Sequence, residues 1–267
     1  MSSAKAFIEL FRCYHRAYGR HTLNADVGED GKHEGKAETV TLPSDVALLN
    51  QHIERHLAGT GPSIGGIPLL EDNTVLWGAI DLDIRGQHKL REPPEDLERR
   101  ITALGLPLVV CRSKSGGAHL YCFFVEPAPG KLVQDKLNEW AAALGYGGTE
   151  VFPKQTSRVD DRDVGNWINF PYYDAANTVR PCVVNGESLS LEKFLEFAHG
   201  RRITVATLRA VKIELKGEFA DGPPCLQHLA TVGFDHGGRN AAMFNVGVYM
   251  RRKHPDDWQD LLFKFNY

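Results

Sequence analysis

Residues 106–125 read LPLVVCRSKSGGAHLYCFFV. Leu106–Cys111 is a Leu/Val run with strand character, and Ala118–Val125 is a second such run. Ser113–Gly117 between them is a Ser/Gly-rich turn, so the stretch reads as a hairpin. Upstream, VLWGAIDLD at 75–83 reads as a strand. Pro93-Pro94 then opens a helix carrying Leu97, Ile101 and Leu104, closed by Gly105. Downstream, Gly130–Leu144 reads as a helix with Leu132, Leu137, Trp140 and Leu144 inward, and Glu150–Phe152 as a short strand. Trp167–Phe170 adds one further strand, expected on the same sheet.

The resulting order, β-α-β-β-α-β, is that of split βαβ sheets. The expected fold class is α+β: an RRM-like antiparallel sheet core with flanking helices, followed by a small all-α C-terminal domain. Before the sheet, residues 4–17 read as an amphipathic helix with Phe7, Ile8, Leu10, Phe11 and Tyr14 on its apolar side and Ser3 as N-cap. Residues 24–43 are polar, Gly-rich and without period, and read as a surface loop. Ser44 caps a helix over 45–57 ended by Gly59, and 59–66 is another loop. After Pro181 the patterns are helical, at 190–199, 205–215, 224–231, 239–252 and 255–265. This change of character sets an expected boundary near 200, with domains 1–200 and 201–267. The chain stops inside an amphipathic segment, as expected of a piece of something longer.

The composition is that of a folded protein. Among 267 residues, 42% are hydrophobic and 24% charged, which excludes disorder as the main state. No run of about 18 apolar residues occurs, and the N-terminus has no signal-peptide core. A cytoplasmic protein without a membrane partner is expected. Five scattered cysteines, at 13, 111, 122, 182 and 225, form no C-x-x-C pair. That argues against a disulfide framework and a Cys-rich zinc site. The net charge of −3 does not announce a nucleic-acid binder, but residues 201–267 hold ten Lys and Arg against seven Asp and Glu.

Four short segments carry residues suited to chemistry. In a strand Asp81 and Asp83 share a face, and two such carboxylates repel unless a cation lies between them. Hard oxygen ligands suit Mg²⁺ or Mn²⁺. The turn Ser113-Lys114-Ser115-Gly116-Gly117 lets backbone N–H groups converge on phosphate oxygens, and His119 starts the outgoing strand beside Tyr121 and Phe123. Glu150 starts a strand that reaches the sheet face of the aspartates, and Lys154 is suited to neutralise a phosphate. Asn166 or Asn169 is suited to bond a sugar or a base. Read singly, each segment also fits a plain role: a strand-end turn, an ordinary hairpin, an exposed Glu, a buried aromatic strand.

Together, in this order, the segments resemble the catalytic core of the archaeo-eukaryotic primase superfamily, the primase-polymerases. Ala79-Ile-Asp81-Leu-Asp83 resembles the family's acidic pair. Ser113–His119 resembles its small-x-His motif after a Gly-rich turn. Thr149-Glu150-Val resembles its later acidic motif, with Glu where many members have Asp. The segment 67–77, the Val-Phe-Pro-Lys-Gln string and Gly165-Asn-Trp-Ile-Asn resemble the phage and mobile-element branch. The likeness covers roughly residues 45–175. Relatives of that branch often carry a Cys-rich zinc insertion, whereas Val27–Val40 has no cysteine, so no zinc is expected. The tail, with Pro223-Pro-Cys-Leu-Gln and Gly237-Gly-Arg-Asn-Ala-Ala-Met-Phe, resembles the helical module that often follows such domains.

The resemblance implies template-directed nucleotidyl transfer on single-stranded DNA from nucleoside triphosphates. Asp81, Asp83 and Glu150 would hold two divalent ions. Ser113, Lys114, Ser115, Gly117 and His119 would hold the triphosphate, with Lys154 assisting and Asn166 or Asn169 at the sugar. Independently of the resemblance, the basic tail places Arg239, Arg251, Arg252 and Lys253 on or just after one expected helix, suited to hold the template strand or the initiating nucleotide, with a solvated basic face as the plain alternative. A helicase domain or protein is an expected partner. A phage-encoded chain would act in the host cytoplasm. Two other classes fit parts of the pattern. One is a non-catalytic single-stranded nucleic-acid binder stacking bases on Trp77, Tyr121 and Phe123. The other is a metal-dependent nuclease centred on Asp83, Glu150 and Lys154. No P-loop motif and no His-x-His pair occur in the chain.

Overall fold

The structure, a computed structural model, describes residues 2–27, 33–43, 46–86, 89–160, 163–213, 219, 222–223, 226 and 239–265. The hairpin at 106–125 forms as expected: β5 (Val109–Arg112) pairs antiparallel with β6 (Ala118–Pro129). β4 (Thr74–Leu82) pairs with β6 on one side and β7 (Glu150–Phe152) on the other. The sheet order β5-β6-β4-β7, with α3 (Pro94–Ala103) and α4 (Gly130–Ala143) as crossovers, is the split βαβ arrangement. α4 lies close on this sheet because residue 78 is glycine. A Cβ there would meet Leu137 and Val133 side chains at 2.8 Å.

A second antiparallel sheet, order β2-β1-β3-β8, corrects three expectations. The polar stretch read as a loop pairs as β1 (Ala17–Val27) with β2 (His33–Thr41), in register from Ala17↔Thr41 to Leu23↔Gly35. Its pairing rests on the backbone ladder and on Arg20, whose Nε donates to Glu38 at 2.7 Å, so no apolar alternation announces it. The Gly-rich run before residue 67 contains β3 (Ser63–Gly66). The last expected strand, β8 (Ile168–Asn169), pairs with β3 and not with the first sheet, whose edge β7 occupies. Glycine permits this close packing: a Cβ on Gly19 would lie 1.7 Å from the Trp167 ring. A small hairpin, β9 (Val183–Val184) with β10 (Glu187–Ser188), follows.

α1 spans Ser3–Leu10, shorter than expected, and is capped by Ser2, whose hydroxyl accepts from Lys5 N–H at 3.3 Å. It stops because the following backbone is taken by other partners. Trp77 Nε1 donates to Arg12 O at 3.0 Å, and Tyr14 N donates to Ile67 O at 2.9 Å. α2 (Val46–Leu57) forms as read, while its expected cap, Ser44, lies outside the described residues. α5 (Leu191–Gly200) forms, and α6 covers only Val205–Ala210, since Val211 is extended. The helix expected at 224–231 falls almost wholly outside the described residues.

The chain divides into two compact units, 1–138 with 149–211 and 139–148 with 212–267. Residues 201–211 thus go with the first unit. In the second, α7 (Arg239–Lys253) and α8 (Trp258–Phe265) pack around Phe219, Leu226, Val246 and Met250. No helix among the described residues is long and apolar enough to cross a membrane.

The main core unites the facing sheets, α1, α2 and α5. Trp77, Tyr121 and Phe123 sit within it at 0%, 0% and 1% exposure. They are therefore not a base-stacking platform. α1 and the second sheet cover the face that the sequence reading left open. His56 is buried there too. Its Nδ1 accepts from Ile64 N–H at 3.1 Å, so Nε2 donates to Pro171 O at 3.0 Å. Burial, helped by the Arg180 charge, pushes its pKa down to about 4 against the Pro171 hydrogen bond. The unfolded chain then binds the extra proton. Stability from His56 is present in full above the ordinary value of 6.5 and is lost as pH falls towards 4. The expected loss is roughly 3 kcal/mol. Urea unfolding at pH 7.5 and 4.5, with His56→Gln as comparison, measures it, and an equal loss in the variant would refute the assignment.

Candidate active site

One row of residues crosses the first sheet. In register, Cys111 on β5 faces His119 on β6, His119 faces Asp81 on β4, and Asp81 faces Glu150 on β7. Directly paired residues share a face, so His119, Asp81 and Glu150 point the same way. Asp83, two residues on, follows the end of β4 and is exposed. Thr149 Oγ1 donates to Asp81 O at 2.6 Å and ties β7 to this strand end.

The carboxylates act on each other. Burial and then the charges of Asp83 and Glu150 push the Asp81 carboxyl up to about 7, with Lys154 opposing. Lys154 Nζ lies 2.7 Å from Glu150 Oε2 and over the Phe152 ring at 5.1 Å, so it joins the site through Glu150. Three hard oxygen donors that repel one another at one sheet end fit a divalent cation such as Mg²⁺ or Mn²⁺. Among the described residues no three Asp, Glu, His or Cys side chains are yet gathered tightly around one point.

The turn at 113–117 abuts this strand end. Ser113 N donates to Gly117 O at 2.9 Å, and the Ser113 and Ser115 hydroxyls lie 3.1 Å apart. Gly116 has φ +91°. A Cβ on Gly117 would lie 2.1 Å from Leu82 O, so only glycine lets the turn come this close to the aspartate strand. Asp83, Ile84, Arg85, Lys114 and Ser115 line an open cavity of about 420 Å³. A larger one, about 490 Å³, lies between α1, α2 and the Glu71–Asp72 turn at the other end of β4, away from the acidic pair, the 113–119 turn and Glu150.

His119 is 5% exposed, so this face of the sheet is covered where His119 sits. Its Nδ1 lies 3.1 Å from Tyr121 Oη, and its Nε2 lies 3.4 Å from Asp81 Oδ1. Burial first, then the charges of Arg180 and Lys114, hold it at about 3. The imidazole is therefore neutral, and its contact with Asp81 is not an ion pair. Tyr121 Oη donates to Asn169 O at 2.9 Å across the two sheets. The structure thus brings Asn169 to the site, with its buried side-chain Oδ1 lacking a protein partner. Asn166 is exposed, and no contact among the described residues ties it to the motifs. Arg112 turns aside to pair with Glu95.

Sequence reading missed Arg180. It sits in Val179-Arg-Pro-Cys182, a string without a motif, yet its charge lowers the pKa values of His119, Lys114 and His21. In the second unit Arg239 opens α7, and Arg251, Arg252 and Lys253 form its exposed last turn. Lys253 Nζ donates to Tyr249 Oη at 2.9 Å.

Comparison with known proteins bears on this geometry. The archaeo-eukaryotic primase domain of the cyanophage S-2L primase-polymerase matches with TM-score 0.37 and 15% identity, over 73% of this chain and 95% of that one. The catalytic domain of primase RepB′, solved with initiator DNA, gives 0.35 and 12%, over 74% and 93%. RepB′ primase itself gives 0.35 and 14%, over 97% and 91%. At these values the likeness carries no argument about this chain. No curated protein matches. The family model described as "TOTE conflict system, Archaeo-Eukaryotic Primase domain" matches residues 17–193, which include both sheets and every motif residue above. The chain belongs to that archaeo-eukaryotic primase family.

Proposed function

We propose that this protein is a DNA primase-polymerase, joining nucleotides on a single-stranded template. The observation that carries the reading is the cross-strand row Asp81–Glu150–His119, with Asp83 and the glycine-dependent turn at its end. Asp81, Asp83 and Glu150 are the residues to hold two Mg²⁺ or Mn²⁺ ions, which when bound favour ionisation of the 3′-hydroxyl and neutralise the leaving pyrophosphate. In the reaction the 3′-oxygen bonds to the α-phosphorus, the α–β bridging P–O bond breaks, and the hydroxyl proton passes to solvent.

Ser113, Lys114, Ser115 and Gly117 cradle the triphosphate. His119, neutral and fixed by Tyr121, lies at the junction of cradle and carboxylates. Lys154 balances Glu150 and stands ready for a phosphate. Asn169 offers its unpartnered Oδ1 to a sugar hydroxyl, which favours it over Asn166. Arg251, Arg252 and Lys253 are suited to the template backbone. The same chemistry serves replication and a conflict system alike.

The test is incubation with single-stranded DNA and labelled nucleoside triphosphates in Mg²⁺ or Mn²⁺, with and without a primer. Elongated product supports the reading. Shortened template alone would indicate a nuclease, and binding without product would indicate a binding module.

A further inference from the structure

Arg180 is 7% exposed. One terminal nitrogen, Nη1, donates to Ser63 Oγ at 2.8 Å and to Phe170 O at 3.3 Å. Its Nε is buried without a partner, and the Tyr173 ring lies 5.7 Å from its Cζ. No carboxylate among the described residues pairs with it. Burial lowers its pKa, opposed among the described residues by the Tyr121 and Tyr173 phenols alone. A buried guanidinium held by neutral oxygens and lacking a counter-charge is costly, and an arriving anion relieves that cost.

Its place in the fold indicates which anion. Consecutive carbonyls are held from two sides: Asn169 O by Tyr121, the partner of His119, and Phe170 O by Arg180. The guanidinium is thus one peptide unit from the His119–Tyr121 pair. Its charge is felt at Lys114 in the turn, which burial and Arg180 both push down. A template backbone runs past exposed side chains. A group this deeply buried is reached by an anion that projects inward, as the tail of a bound triphosphate does.

We propose that Arg180 binds a phosphate of the nucleoside triphosphate seated at the 113–119 turn, as the counter-charge that the chain itself lacks. The assignment rests on the nucleotidyl-transfer reading. It adds an anchor from the segment after β8, outside all three acidic and histidine motifs.

The experiment titrates inorganic triphosphate into the intact chain in EDTA, so that bound metal plays no part. Arg180→Gln, which keeps a polar end for Ser63 and Phe170 O, is expected to weaken binding about tenfold or more. Arg180→Lys restores the charge and is expected to recover most of that loss, which a packing role alone would not. Affinity for a single-stranded oligonucleotide should change by less than about twofold. Wild-type affinity in Arg180→Gln, no recovery in Arg180→Lys, or an equal loss of oligonucleotide binding overturns the assignment. If Arg180→Gln does not fold, the wild-type unfolding temperature decides: it should rise with triphosphate in EDTA, and an unchanged value overturns the assignment. The polymerase reading fails separately. Wild type that binds triphosphate through Arg180 but incorporates no nucleotide would refute that reading and leave this one.

Discussion

Asn in place of both Asp81 and Asp83 is expected to reduce nucleotide incorporation on the order of 10³-fold or more while leaving the fold intact. The charges of these side chains are what the chemistry needs. Several kcal/mol of charge stabilisation goes with them, at 1.36 kcal/mol per tenfold in rate. The shape they occupy is nearly that of Asn, and Thr149 holds the main-chain carbonyl of Asp81, not its carboxylate. Burial and the neighbouring acids already hold Asp81 at about 7, so its ionised form is a burden on the metal-free protein at neutral pH. Removing that burden predicts an unfolding temperature in EDTA equal to or above wild type. Oligonucleotide binding should persist, because two charges that repel the backbone have gone. Primer extension and thermal unfolding on the same preparation check both halves. Extension near the wild-type rate would place the chemistry elsewhere, and a large drop in unfolding temperature would make the aspartates structural.

Legibility in the sequence follows the physical source of each element. The first sheet is announced by its own side chains: apolar strands, a Pro-opened helix, and a Gly/Ser turn. The acidic pair, the turn and Glu150 fall together because strand alternation and antiparallel register fix their common face. The second sheet carries almost no such signal. β1 and β2 are polar and held by backbone pairing, and β3 is half glycine; Gly19 of β1 and Gly65 of β3 make room for Trp167. Missing that sheet had two consequences. The aromatic face of the first sheet looked exposed, so Trp77, Tyr121 and Phe123 seemed available to bases. Arg180 could not be seen at all, since its partner Ser63 lay in an expected loop and its partner Phe170 in a strand assigned to the other sheet. Burial of His119 has the same origin. A histidine at a strand start reads as open until the covering layer is known.

That covering layer converges on one side chain, and its removal is the largest stability change expected. Phe11 has no exposed surface. Its ring stacks on Phe7 at 4.5 Å between centroids. It meets Trp77 at 5.4 Å, Tyr121 and Phe123 at 5.2 Å and Phe170 at 5.3 Å, edge to face. Phe194 of α5 lies at 6.2 Å. One residue therefore joins α1, both sheets and α5. Phe11→Ala removes the ring's burial and leaves a cavity that six aromatic neighbours, themselves packed, are poorly able to close. The expected cost is about 4 kcal/mol, near the middle of the range for buried Phe→Ala changes. Edge-to-face contacts add to it beyond area alone. For a unit of this size that corresponds to a fall of roughly 10 °C in unfolding temperature. Phe11→Leu keeps most of the volume and should cost well under half as much. Phe244→Ala is the matched control: that ring is 72% exposed on α7, and its loss should change stability by less than about 0.5 kcal/mol. Because Tyr121 also orients His119, and Phe170 O also holds Arg180, triphosphate affinity of Phe11→Ala should fall even at temperatures where it remains folded. Urea unfolding and triphosphate titration of the three variants measure both effects. A cost for Phe11→Ala no greater than that of Phe244→Ala would mean that the two sheets do not share one core.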